Sequence, residues 1–382
     1  MPESFTETTT ISYGQNIKNS LSGVIFGVVL FLASFVVLWM NEGHNVAQLG
    51  KADYMNKNAV EISATKIDRG NDNKLVQVSG KAITTETLTD KIITVPNAFA
   101  LSRKVEMYQW QENVKTEKKD NMGGSTTETK TYTYEKVWSD HEIDSSDFKK
   151  TSYSNPPFTI KSEEYYAKSG KLGDFELTSK QTESMHAYTQ YENLPQKYEY
   201  KIHENTYYKG YDPQNPQIGD IRISYKYIPS DTGISIIGKQ KSDNTLTTMP
   251  YKDSSVYLQQ DGIKDKAEML GDFRQSNKIL TNVIRVLGWL MMFIGLNALI
   301  NPLVVIFKVV PFVEKIIGSL TGGIVLLITL ALSLLTIAIA WLAYRPVLSI
   351  SLIVMIGCIA FLIKTKFAPA KQATQETENP EQ

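Results

Sequence analysis

The sequence holds one cysteine, four histidines and no formal net charge. A single thiol, Cys358, excludes an intramolecular disulfide framework and any multi-cysteine metal site. Forty basic side chains balance forty acidic ones, so there is no basic field of the kind that holds nucleic acid by displacing counterions, and no nucleic-acid partner is expected. His44, His141, His186 and His203 stand far apart, and none forms an HExxH-type pair. The sequence also lacks a GxSxG elbow, a phosphate-binding glycine loop and a Cys–His partner set. The acidic clusters Glu163-Glu164 and Asp144 to Asp147 lack ligand spacing and read as solvated faces. No enzyme activity, metal or cofactor is therefore expected. An Asn-x-Ser/Thr sequon is missing as well, so nothing points to glycosylation.

What the chain does have is apolar sequence, concentrated at its two ends. Leu21 to Met40 carries no charge, and as a helix it covers about 30 Å, the thickness of a bilayer's hydrocarbon. Only Lys18 is basic upstream and no A-x-A site follows, which favours an uncleaved anchor over a signal peptide. Gly318 to Tyr344 is a second uncharged run, and Pro346 to Ile363 a third, broken from it by Arg345. Val286 to Ile300 is uncharged too, with Arg285 reaching back to the interface. Four spans follow, at 21–40, 283–300, 318–344 and 346–363, the last two as a hairpin. Between the second and third, residues 301–317 read as an amphipathic segment in the interface, with Pro302 in a first turn and Pro311 kinking the middle. Lys18, Lys308, Lys315, Lys364, Lys366 and Lys371 fall on the side of the termini, and Arg345 alone on the other. The positive-inside rule then makes segment 1–20 and a disordered tail, 364–382, cytoplasmic, with 41–282 across the membrane.

Region 41–282 reads as a β-rich α+β domain. Ile221, Ile223, Tyr225 and Tyr227 alternate along a half-buried strand. Val105 to Trp110 and Thr131 to Trp138 predict a long hairpin around a charged tip with Gly123-Gly124. Leu75 to Gly80 is a shorter strand, and Lys264 to Asn282 a helix that runs on into the second span. Within the membrane Arg285, Asn297, Asn301 and Arg345 are the candidate polar residues. They could line a pathway or a lipid-headgroup site. The preferred reading is structural, with the arginines snorkelling and Asn297 bonding between helices, because a conducting path needs several ionisable groups at mid-depth.

Several stretches resemble the transmembrane protein 43 (LUMA) family. They are Asn41-Glu42-Gly43, Val105 to Trp110, Gly219-Asp220 with Arg222 and Tyr225, Arg285 to Asn297 with Gly288 and Trp289, and Trp341 to Pro346 with Tyr344. The likeness runs in order from about Tyr13 to Lys371. It departs at His44-Asn45, where the family pattern has Arg-Ala, and from about Asp140 to Lys171. The resemblance implies a four-span protein of endomembranes. Its animal relatives sit in the endoplasmic reticulum and inner nuclear membrane with emerin and lamins, and bacterial members belong in the inner membrane. It carries over no catalytic residue. The expected function is a non-enzymatic scaffold that organises membrane proteins and lipids, itself a homo-oligomer. The alternative is a channel or lipid-handling protein using the polar residues of the spans.

Overall fold

A computed structural model describes residues 4–309, 311–345 and 350–351. The described residues include the α-helices α1 (Tyr13–Asn58), α2 (Ser179–Glu183), α3 (Lys266–Ile306) and α4 (Pro311–Tyr344). Among the described residues three helices are long and apolar enough to cross a membrane, namely α1, α3 and Gly322–Tyr344 of α4. The expected fourth span, 346–363, and the tail, 364–382, lie outside the described residues.

Helices α1 and α3 overrun the expected spans because each has a cap well outside its apolar run. Ser12 accepts the Gln15 N–H at 3.3 Å and starts α1, which rises roughly 70 Å over its length. Asp265 and Glu268 form a reciprocal capping box that starts α3 about 20 residues before its uncharged stretch from Val286. The expected interfacial segment 301–317 does not form one element. It is divided among the end of α3, a 3-10 turn at Phe307–Val309, and the start of α4. The prolines exchange roles: Pro302 lies inside α3 near its end, while Pro311 opens α4. A first helical position suits proline because the N–H it lacks has no intrahelical acceptor there.

Among the described residues two large sheets build the domain, beside two small two-stranded ones. The eight-stranded sheet has the path Ser4–Ile11, Thr126–Ser139, Ala98–Asp120, Ile221–Pro229, Thr206–Lys209 and Lys201–His203, with Glu163–Tyr166 and Thr189–Gln190 paired off it. The seven-stranded sheet centres on Leu75–Ile83 paired antiparallel with Thr232–Gln240. Ile221–Pro229 passes into Thr232–Gln240 through Asp231, whose φ of 75° allows the tight reversal from one sheet to the other. Ile221, Ile223 and Tyr225 are buried as their alternation predicts. Val76, Val78, Phe99, Leu172, Phe175, Ile234 and Ile236 make the core between the sheets. A second cluster joins the domain to the helices: Ala52 and Met55 of α1 pack with Met269 and Leu270 of α3 against Leu75 and Ile237. The domain body thus sits at the C-terminal end of α1.

The predicted hairpin is longer than its sequence signal. Ala98–Asp120 pairs with Thr126–Ser139 over fourteen residue pairs, and its tip returns to the opposite end of α1. Asn16 donates to the Gly124 carbonyl at 3.0 Å and to Thr126 Oγ1 at 2.9 Å, and the Gly123 N–H donates to the Val309 carbonyl at 3.0 Å. Gly124, at φ +82°, lies so close to the Tyr13 ring that a Cβ would stand 2.4 Å from it. Segment 1–20 is therefore not a body separate from 41–282, because Ser4–Ile11 adds a third strand to this ribbon along Thr126–Thr133. Its threonine-rich alternation pairs with an equally threonine-rich partner strand 115 residues or more away, which no local pattern announces. The stretch 140–162 carries no helix or strand and wraps the ribbon, with Tyr153 stacked 4.1 Å from Tyr134 and Lys149 paired with Glu7 at 3.0 Å.

Glycines bring α1 and α3 into contact. A Cβ on Gly295 would stand 2.6 Å from the Phe31 backbone nitrogen, and one on Gly288 2.6 Å from the Leu38 side-chain tip. Backbone cannot yield as a leucine tip can. Gly295→Ala should therefore lower the thermal midpoint in mild detergent, by about 1–3 kcal/mol of stability, and by more than Gly288→Ala. Equal midpoints would refute this packing.

Candidate functional site

The residues marked by the sequence gather where the three apolar helices leave their hydrocarbon stretch on the domain side. Glu42 follows the apolar run of α1, Arg285 precedes that of α3, and Trp341 and Tyr344 end α4. Equal depth brings them together. The Glu42 side chain is fully buried, and its carboxylate accepts from Arg285 Nε at 2.6 Å and Nη2 at 2.8 Å. Trp341 Nε1 donates to the same carboxylate at 2.6 Å. One acidic group thereby joins all three helices. The third guanidinium nitrogen of Arg285, Nη1, donates to Asn282 Oδ1 at 3.0 Å, and the guanidinium lies 5.9 Å from the Trp341 ring.

Small and aromatic residues close the joint. A Cβ on Gly43 would stand 2.6 Å from the Tyr344 ring, so glycine is what lets α4 approach α1 here. Tyr344 packs 5.7 Å from Trp39. The Arg345 N–H donates to the Trp341 carbonyl at 3.0 Å, and its guanidinium sits 4.8 Å from the Trp341 ring. Above this level, Asn41 Nδ2 donates to the Thr281 carbonyl at 3.1 Å and Asn277 Nδ2 to Asn45 Oδ1 at 2.7 Å. Each of these side chains has an internal partner, although Asn41 Oδ1 is buried without a hydrogen bond among the described residues. Chemically the cluster is a polar knot that fixes the relative height of three helices, because sliding any one would strand a charge or a donor in an apolar setting.

The remaining polar candidates lie deeper. Asn297 bonds not between helices, as expected, but to the Phe293 carbonyl of its own helix at 2.8 Å, a partner one turn away that needs no neighbour. Asn301 makes the interhelical bond instead, donating to Ser20 Oγ at 3.2 Å. Trp289 lies 6.0 Å from Phe293, and Pro346 is outside the described residues. Sequence reasoning named Arg285 and Glu42 but did not pair them, and it missed Trp341 and Asn277 as partners. The available signal was positional: an acid just after one uncharged run and a base just before another occupy one depth.

The family-like residues of the domain are structural. Gly219, at φ +94°, turns the chain so that its N–H donates to the Tyr108 carbonyl at 2.9 Å. Asp220 accepts from the Tyr208 hydroxyl and from the Gln217 N–H at 2.8 Å. Arg222 donates to Glu106 at 2.7 Å with its guanidinium 4.5 Å from the Trp138 ring. The Trp110 N–H donates to Asn155 at 2.7 Å, and its ring meets Tyr153 edge-on. Burial pushes the Glu106 carboxyl up, but hydrogen bonds from Arg222 and Lys104 outweigh it and hold the group below its ordinary range. Among the described residues no three His, Cys, Asp or Glu side chains gather to hold a metal ion.

The pattern of the family described as Transmembrane protein 43 matches residues 107–346. The chain is 27% identical over 356 residues to the "Transmembrane protein 43 homolog" of Drosophila melanogaster, covering 90% of this chain and 94% of that protein. It is 25% identical over 380 residues to "Transmembrane protein 43" of Homo sapiens, at 94% and 93% coverage, and 24% identical over 390 residues to that of Rattus norvegicus, at 95% and 94%. No solved structure matches it.

Two outcomes check this account. Glu42→Ala leaves the Arg285 charge without its partner and should cost about 3–5 kcal/mol, whereas the double change Glu42→Leu with Arg285→Leu should restore much of the loss. Thermal midpoints in detergent decide it, and a mild Glu42→Ala would refute the knot. A carboxyl with a lowered folded pKa adds stability above its unfolded value, and that stability disappears as pH falls through the folded one. The midpoint should thus drop between about pH 5 and about pH 3, and Glu106→Gln should drop less than the parent over that interval.

Proposed function

The chain belongs to the transmembrane protein 43 family, and on that footing we propose that it is a non-enzymatic membrane scaffold whose β domain gathers lipids, other membrane proteins and further copies of itself. The observation that carries this reading is the Glu42–Arg285–Trp341 knot. The most polar group in the helix region spends its hydrogen bonds holding helices to one another. Asn301 and Asn277 do the same. Such use favours a rigid frame over a conducting path, which needs ionisable groups turned toward water. The continuous passage of α1 and α3 from apolar stretch into domain core supports it further, since Met55 and Met269 lock the domain's position on the helices.

Sidedness follows from the basic residues. Lys18, Lys308, Lys315 and the lysines after Ile363 support a cytoplasmic position for the helix ends near Tyr13 and Val309, with the domain body on the other face. The membrane is the inner one in a bacterial source and an endomembrane in a eukaryotic one.

Purification of the full chain in mild detergent, followed by chemical cross-linking, tests the scaffold. An oligomer or a stable complex with another membrane protein is the expected result. A strict monomer that cross-links to nothing overturns it.

A further inference from the structure

The seam between the domain and α3 holds a cleft of about 460 Å³, inside the roughly 300–1,000 Å³ range of small-molecule sites. One wall is the end of the strand Leu258–Asp261 with the nearby His186, and the other is a single stripe of α3. Asp272, Gln275, Ser276 and Ile279 fall three and four residues apart, so they share one helix face. That stripe does not stop at the cleft. Val283, Val286 and Leu290 continue it at the same spacing, and all three are exposed, as Ile279 is. A polar recess therefore passes without a break into an exposed apolar track.

Helix pairing sets the height of this transition. Asn41 donates to the Thr281 carbonyl, so Met40, the last residue of the apolar run of α1, stands level with Asn282 of α3. At about 1.5 Å per residue Ile279 lies about 4–5 Å above that level, inside a headgroup layer about 5–7 Å deep. Gln275 and Ser276 stand about one turn higher, at the outer margin of that layer, and Asp272 about one turn higher again. The cleft thus opens where the polar head of a lipid stands, with the apolar track below it for the tails.

Charge and hydrogen bonding define the head. The Lys264 ammonium donates to Asp272 at 2.8 Å and to Gln260 at 3.3 Å. Asp261 has no such cation. Among the described residues its carboxylate accepts only from the His186 backbone N–H, at 3.1 and 3.2 Å. Counting His186 as neutral, the two carboxylates Asp261 and Asp272 outnumber the one ammonium, Lys264, and leave the cleft negative. A purely anionic head is repelled there, and a head that brings a cation is drawn in. Gln275 and Ser276, whose side chains have no partner among the described residues, offer an amide N–H and a hydroxyl O–H below the acids. Both suit a phosphate oxygen. Among the described residues no aromatic side chain lines the cleft, so it lacks the ring faces that hold a quaternary ammonium. A carboxylate instead suits the N–H donors of a primary one.

We propose that this cleft binds the headgroup of a phospholipid of the ethanolamine class. The acyl chains lie along Ile279, Val283, Val286 and Leu290, the phosphate accepts from Gln275 and Ser276, and the primary ammonium donates to Asp261. The proposal rests on the reading that the domain gathers lipids, and it names which lipid and where.

Native mass spectrometry of the full chain in mild detergent, titrated with one lipid at a time, tests it. Phosphatidylethanolamine should bind at least about tenfold more tightly than phosphatidylcholine or phosphatidylglycerol with the same chains, the factor that one charge-assisted hydrogen bond supplies. Asp261→Asn should abolish that preference. Because Asp261 also holds the His186 N–H, a second probe lies on the exposed helix face: Gln275→Ala with Ser276→Ala should weaken phosphatidylethanolamine about fivefold. Only variants that elute from a sizing column and melt as the parent does are scored, and the selectivity of the parent needs no variant. Glycerophosphoethanolamine, a head without chains, should not compete; competition would make a soluble amine the ligand and overturn the lipid. Equal binding of the three phospholipids, or a preference that survives Asp261→Asn, also overturns the inference and leaves the scaffold standing, since cross-linking between copies does not involve this cleft. A strict monomer that still selects phosphatidylethanolamine refutes the assembly and upholds the site.

Discussion

A carboxylate buried at the edge of the hydrocarbon needs every partner it can get, and Glu42 draws one from each of the other two helices. That requirement organises much of the rest. Arg285 must stand at the depth of Glu42, which sets the height of α3 against α1, and Trp341 sets α4 to the same level. With heights fixed, Gly27 and Gly295 fall opposite each other and the backbones approach, while Gly43 admits the Tyr344 ring. A buried ion pair is weak as a source of net stability, because desolvation offsets most of its attraction. Its strength lies in what it forbids: other registers leave a charge bare.

The same helices carry that register out of the membrane. No loop intervenes between the apolar stretch of α1 and the core residues Ala52 and Met55, nor between Met269 and the apolar stretch of α3. A displacement of the domain is therefore a displacement of the helices. At the other end the ribbon tip holds Asn16 and Val309, so the molecule is tied at both ends of its apolar stretch by one domain. Such double anchorage keeps the two ends of the apolar stretch of α1 in a constant relation.

Much of this architecture was legible from pattern alone. Uncharged runs announced the helices, the alternation from Ile221 to Tyr227 announced a central strand, and the aromatic strands around Gly123-Gly124 announced the hairpin. These signals are local: a run or a period of two is written within a dozen residues. What went unread depended on distant partners. Ser4–Ile11 has the composition of a polar tail, and only the strand Thr126–Ser139 makes it part of a sheet. Asn297 looked like an interhelical donor by its depth, but a carbonyl one turn back was nearer. The segment 301–317 looked amphipathic as a unit, yet the two prolines took opposite places in two helices.

The sequence by itself determined that there are apolar helices, that a β-rich domain separates them, and which polar residues stand at their ends, because hydrophobic length and periodicity depend on neighbours along the chain. Only the tertiary structure decided that Glu42 meets Arg285 and Trp341, and that the hairpin runs back to the first residues of α1. Those contacts join residues 100 to 300 positions apart. Their existence is settled by equal depth and by the need to pair each buried polar group, and neither can be read from one segment at a time.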